Sequence, residues 1–191
     1  SIDYSTSLNY AILNYASRYK DEVLYNIYKM GRNSIDRGSK DFWALSPSRV
    51  AVIDSALQQA KRTEPKSEPN RAQERQLLTK LYENKDLRDP RGYIIPADQA
   101  DFVKATDFIN ALIQNGIEIK QASADFTVQE ITYPKGSYII KTDQAFRPHI
   151  LDMFEPQDHP DDFQYPGGPP IPPYDAAGWT LAYLMDVKFN R

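Results

Sequence analysis

The chain has 191 residues, 41% of them hydrophobic and 12% aromatic, with a formal net charge of −3. That size holds one compact domain, or one with a helical annex, and that composition excludes global disorder. The mildly acidic balance, with no Lys/Arg run interleaved with aromatics, argues against nucleic acid as a partner.

No apolar run approaches the roughly 20 residues needed to span a bilayer, so no membrane span is expected. The opening SIDYSTS is polar and lacks the basic-then-apolar order of a signal peptide. The absence of cysteine removes disulfides and thiol catalysis and is compatible with any redox compartment.

The first element expected is a long helix from about Thr6 to Met30. Leu8, Ile12, Tyr15, Tyr19, Val23, Ile27 and Met30 recur at three- and four-residue intervals and share one face. Leu13, Leu24 and Tyr28 lie off that stripe, so a second face calls for cover. The hydroxyls of Ser5 to Ser7 suit the start, and Gly31 suits the end. A stripe this long requires a partner, in this chain or beyond it.

Ser46-Pro47 then provides an N-cap and a proline in the first turn of a short helix bearing Val50, Ile53, Leu57 and Ala60. KRTEPKSEPN, from Lys61 to Asn70, reads as an exposed connection. A third helix is expected over 69–84, with Leu77, Leu78, Leu81 and Tyr82 inward.

The character changes at Asp89-Pro90-Arg91-Gly92. Tyr93-Ile94-Ile95 suits a buried strand. Asp98 or Asp101 can cap a helix whose Phe102, Ala105, Ile109 and Leu112 share a face, with Gly116 closing it. Ile117 to Lys120 alternates as a strand would. Strand, helix, strand predicts a βαβ unit with parallel strands. Phe126-Thr127-Val128 and Ser137 to Lys141 read as further strands, with a turn at Tyr133-Pro134-Lys135-Gly136 between them. Pro148 begins a short helix with Ile150, Leu151, Met153 and Phe154. Asp175 caps a last one with Trp179, Leu181, Tyr183 and Leu184.

The expected fold class is therefore α/β: a small, partly parallel (mixed) sheet with flanking helices, preceded by the long amphipathic helix and two shorter ones. A division into a helical segment, 1–88, and an α/β domain, 89–191, follows.

Chemistry-bearing residues are few. The two histidines, His149 and His159, stand near Asp152, Glu155, Asp158, Asp161 and Asp162. Zinc needs three or four converging ligands, and no H-E-x-x-H arrangement is present, so no metal residue is assigned. No G-x-S-x-G turn or phosphate-cradling glycine run exists, and no catalytic residue is assigned. Asp98 follows the end of the first strand, where α/β ligand sites lie, although capping the next helix is its simpler duty. Acidic residues acting alone would need two carboxylates held at a defined separation, which sequence does not show.

The most unusual stretch is the loop 156–174. Pro156 to Pro173 holds half of the fourteen prolines, a composition that favours extended polyproline geometry. Phe163, Tyr165, Tyr174 and Trp179 are placed to pin it onto the α/β layer. Two other readings are a wall of a neighbouring domain's substrate cleft and a ligand for a proline-recognition module.

Three segments carry a resemblance. They are VLYNIYKMGRNSI from Val23, DPRGYIIPADQ from Asp89, and YPKGSYIIKTDQAFRPHILDMFEPQDHPDDFQYPGGPPIPPYDAAGWTLAYLMDV from Tyr133 to Val187. Together they resemble the region that follows the peptidase domain in large bacterial proteins of the zinc carboxypeptidase (carboxypeptidase A-like) family. The resemblance implies a parent protein whose catalytic zinc is held by a His-x-x-Glu pair and a later histidine, with a further glutamate as general base. None of those motifs is present here; His149 with Asp152 at the third following position belongs to the downstream segment. The first helix resembles the closing helix of the peptidase domain. In relatives a region similar to class I glutamine amidotransferases follows, whose thiol chemistry has no cysteine here.

What this implies is a non-catalytic accessory region of a metallocarboxypeptidase, with zinc only in the parent's peptidase domain and no cofactor here. The implied partner is the catalytic domain of the same polypeptide, with peptide substrate at the cleft edge, in a periplasmic or extracellular setting. The competing expectation is a module that binds a peptide or cell-wall fragment. It would present Tyr93, Tyr165, Tyr174 or Trp179 on an open groove, with Asp98 and Asp175 as further ligand or interdomain contacts.

Overall fold

The computed structural model describes residues 2–63, 71–156, 162–172 and 180–191. Over these the protein is mixed α/β, with seven α-helices and five short strands.

The long amphipathic helix exists and exceeds its expected length. α1 (Ile2–Arg18) and α2 (Lys20–Gly38) meet at Tyr19. Tyr19 N–H donates to the Tyr15 carbonyl at 3.0 Å and Val23 N–H to the Tyr19 carbonyl at 2.9 Å, so helical bonding passes through the junction. The expected stop at Gly31 does not occur. A side chain there would meet the Ala145 methyl at 3.4 Å, so Gly31 sits where the helix closes on the α/β layer, and the helix ends seven residues later.

α3 (Pro47–Thr63) and α4 (Arg71–Tyr82) form the helical pair expected between residues 46 and 84. Ser46 Oγ accepts from Arg49 N–H at 3.4 Å, as a capping hydroxyl should. The pair is tied to the preceding loop through Trp43, whose indole donates to the Asn84 carbonyl at 2.8 Å and whose carbonyl accepts from the Tyr82 hydroxyl at 2.5 Å. Among the described residues, none in α3 or α4 is fully buried.

The α/β part contains β1 (Gly92–Ile95), α5 (Phe102–Gln114), β2 (Lys120–Gln121), β3 (Phe126–Val128), β4 (Ile131–Tyr133), β5 (Tyr138–Lys141), α6 (Arg147–Phe154) and α7 (Leu181–Leu184). One sheet has the order β1-β5-β2, and β3-β4 is a separate ribbon. Every ladder is antiparallel, with Tyr93 opposite Ile140 and Lys120 opposite Ile139. The parallel pairing expected of a βαβ unit is thus corrected. β1 and β2 do run in the same direction, but β5 lies between them and is antiparallel to both. Sequence order around α5 could not reveal a strand inserted from further along.

Boundaries shift in physically readable ways. Ile117 is buried as a core residue without joining a ladder, so β2 begins only at Lys120. Asp101, not Asp98, caps α5, accepting from Lys104 N–H at 3.1 Å. On that helix Ala105, Phe108, Ile109 and Leu112 are buried, whereas Phe102, expected on the same face, is half exposed. The turn before β5 forms as expected, with Gly136 at φ +90° and Ser137 N–H donating to the Pro134 carbonyl.

The core gathers between the sheet, α5 and α6. Tyr93, Ile95, Phe108, Leu112, Ile140, Ile150 and Phe154 are fully buried there. Tyr93 stacks on Phe154 with ring centroids 4.2 Å apart, and Phe108 meets Phe154 edge-on at 5.2 Å, both favourable aromatic geometries.

The described part of the proline loop is not an extended polyproline segment. Phe163 bridges Pro170, Gln164 N–H donates to the Pro169 carbonyl, and Ile171 N–H to the Asp162 carbonyl. Tyr165-Pro166-Gly167-Gly168 closes this narrow hairpin, with Gly167 at φ +76°. Proline presets one torsion, and glycine tolerates the positive φ that the reversal requires.

Candidate docking surface

The helical arm is fixed to the α/β layer at one end. α2 packs on α6, and at Gly38 a Cβ would lie 2.0 Å from the Thr142 carbonyl oxygen. Backbone meets backbone there, and only glycine permits it. A polar clamp lies alongside. Arg147 pairs with Asp89 at 2.6 Å, and the two side chains are only 6% and 10% exposed. The other oxygen of Asp89 accepts from Ala44 N–H at 3.0 Å, and Asp89 N–H donates to the Phe42 carbonyl at 2.9 Å. Arg91 reaches the Ser39 carbonyl at 2.7 Å. The helical segment is thus tied to the α/β layer by the bonds of Asp89 to Ala44 and Phe42 and of Arg91 to Ser39. The ion pair to Arg147, whose guanidinium lies 5.4 Å from the Phe42 ring centroid, holds Asp89 in place.

Away from that joint the arm is uncovered. No residue of α1 is buried, and in α2 only Gly38 is. Along the expected stripe Leu8, Ile12, Tyr15, Tyr19, Ile27 and Met30 are all exposed, Leu8 at 62% and Met30 at 70%, while Val23 is half-buried. Leu13, Leu24 and Tyr28 on the adjoining face are exposed as well. At about 100° per residue these positions occupy more than half of the helix circumference. Within α1 the only charged side chains are Asp3 and Arg18. Water gains nothing from such a surface, and exposed apolar patches this extensive mark contact sites. Tyrosine, frequent here, is also enriched in interface anchors.

The other expected contacts scatter. Tyr93 is in the core, its hydroxyl donating to Glu155 at 2.6 Å, so its ring does not line an open groove. Burial, the bond to Glu155 and that group's negative charge raise the Tyr93 pKa far above its ordinary value. Asp98 stands in solvent paired with Lys188 at 3.3 Å. Tyr165 is exposed at the hairpin turn, its ring close over Gly168. Tyr174, Asp175, Trp179 and His159 lie outside the described residues. Among the described residues, Tyr93, Asp98 and Tyr165 do not share one surface.

His149 and Asp152 share α6. The Nε2 of His149 is buried and without a hydrogen-bond partner among the described residues. Burial raises the Asp152 pKa, partly opposed by the charge of His149. Among the described residues no third ligand-type side chain joins them. No helix of the described residues is long and apolar enough to cross a membrane.

What the reading of single residues missed is the joint. Gly38, Asp89 and Arg147 carry it, and their only sequence signal was a glycine past the expected helix end.

No family model, curated protein or solved structure matches the chain.

Proposed function

We propose that this chain is a non-catalytic accessory region of a zinc-dependent metallocarboxypeptidase and docks onto the catalytic domain of the same polypeptide through the α1–α2 arm. The parent reaction is hydrolysis of a C-terminal peptide bond, in which zinc polarises the carbonyl and activates water. The observation that carries the docking is the uncovered apolar arm, without a buried residue from Ile2 to Met30 and anchored to the α/β layer over its last turns, from Gly31 to Gly38. The peptidase assignment rests on the three resembling segments. In this reading the parent works in the periplasm or outside the cell, and the proline hairpin 162–172 borders the substrate cleft.

Two measurements test it. Purified chain, loaded with zinc and dialysed, is expected to retain no stoichiometric metal and to leave the C-terminus of a test peptide intact; retained zinc with trimming overturns the accessory role. A carboxypeptidase A-like domain joined ahead of Ile2 is expected to protect α1 from proteolysis. That protection should vanish with Leu8→Asp and Ile12→Asp together, and equal cleavage with or without the added domain overturns the docking.

A further inference from the structure

We draw no further inference here: the strongest candidate, the apolar groove of about 580 Å³ between α3 and α4 lined by Leu45, Val50, Ile53, Leu57 and Leu78, is an unpartnered helical face, and nothing in the structure shows what covers it.

Discussion

Gly38 and Gly31 belong to the same helix and make opposite demands. A methyl group on Gly38 would collide with the Thr142 carbonyl, which cannot yield without moving the strand end. Gly38→Ala is therefore expected to cost about 1–3 kcal/mol, the usual range for overpacking, read from denaturant unfolding. Gly31→Ala meets only ordinary contact with Ala145 and replaces a poor helix former. It should raise stability by up to about 1 kcal/mol in the same assay. The Arg147–Asp89 pair is nearly solvent-free, so removing one partner strands the other charge. Arg147→Ala should lose about 3–5 kcal/mol, and Arg147→Met with Asp89→Leu distinctly less. Asp152 sets a pH dependence. Its pKa is raised in the folded state, chiefly by burial, so the unfolded chain releases that proton first. Its contribution is fully present below the ordinary carboxylate range and is lost as pH rises through the raised value. Thermal melts of Asp152→Asn should be flatter with pH across that window; an unchanged slope would refute the assignment.

At the scale of elements, the hairpin β3-β4 carries visible strain. Gln129 and Glu130 form its two-residue turn with φ of 49° and 67°, a conformation that favours asparagine and glycine. Gln129→Asn with Glu130→Gly should stabilise the protein by roughly 1 kcal/mol, measured by the shift in melting temperature. The arm behaves differently. Because Leu8, Ile12 and Tyr15 already face water, Leu8→Lys, Ile12→Lys and Tyr15→Lys should each change the stability of the isolated chain by less than about 0.5 kcal/mol. All three should reduce binding of a hydrophobic dye, and a large loss of stability would mean that the arm is covered within the chain. Sequence periodicity made such elements readable. α6 begins with Arg147-Pro148 almost where proline placed it, and α5 follows its apolar spacing closely. It misjudged the end of the first helix because Gly31, a glycine inside the helix with only an ordinary contact to Ala145, looks identical in sequence to a capping one. It missed β4 because the turn signal of Pro134 and Gly136 drew Tyr133 into the turn, leaving only Ile131 and Thr132 ahead of it.

For the whole molecule, local signals gave the order of elements but not their neighbours. Strand pairing depends on which distant segment is free to join, and nothing within Tyr93-Ile94-Ile95 announces that Ile140 will lie beside it. The candidate surface divides in the same way. Its apolar stripe was legible residue by residue, whereas its freedom from cover within this chain is a property of the assembled fold. Inserting β5 between β1 and β2 also dictates when the protein can be completed. The middle of the sheet is synthesised after both of its neighbours, and Asn190 then closes on Ile94 through paired backbone bonds. On the ribosome, the nascent chain must carry two unmated strands, with their edges open to wrong partners, until residue 141 emerges.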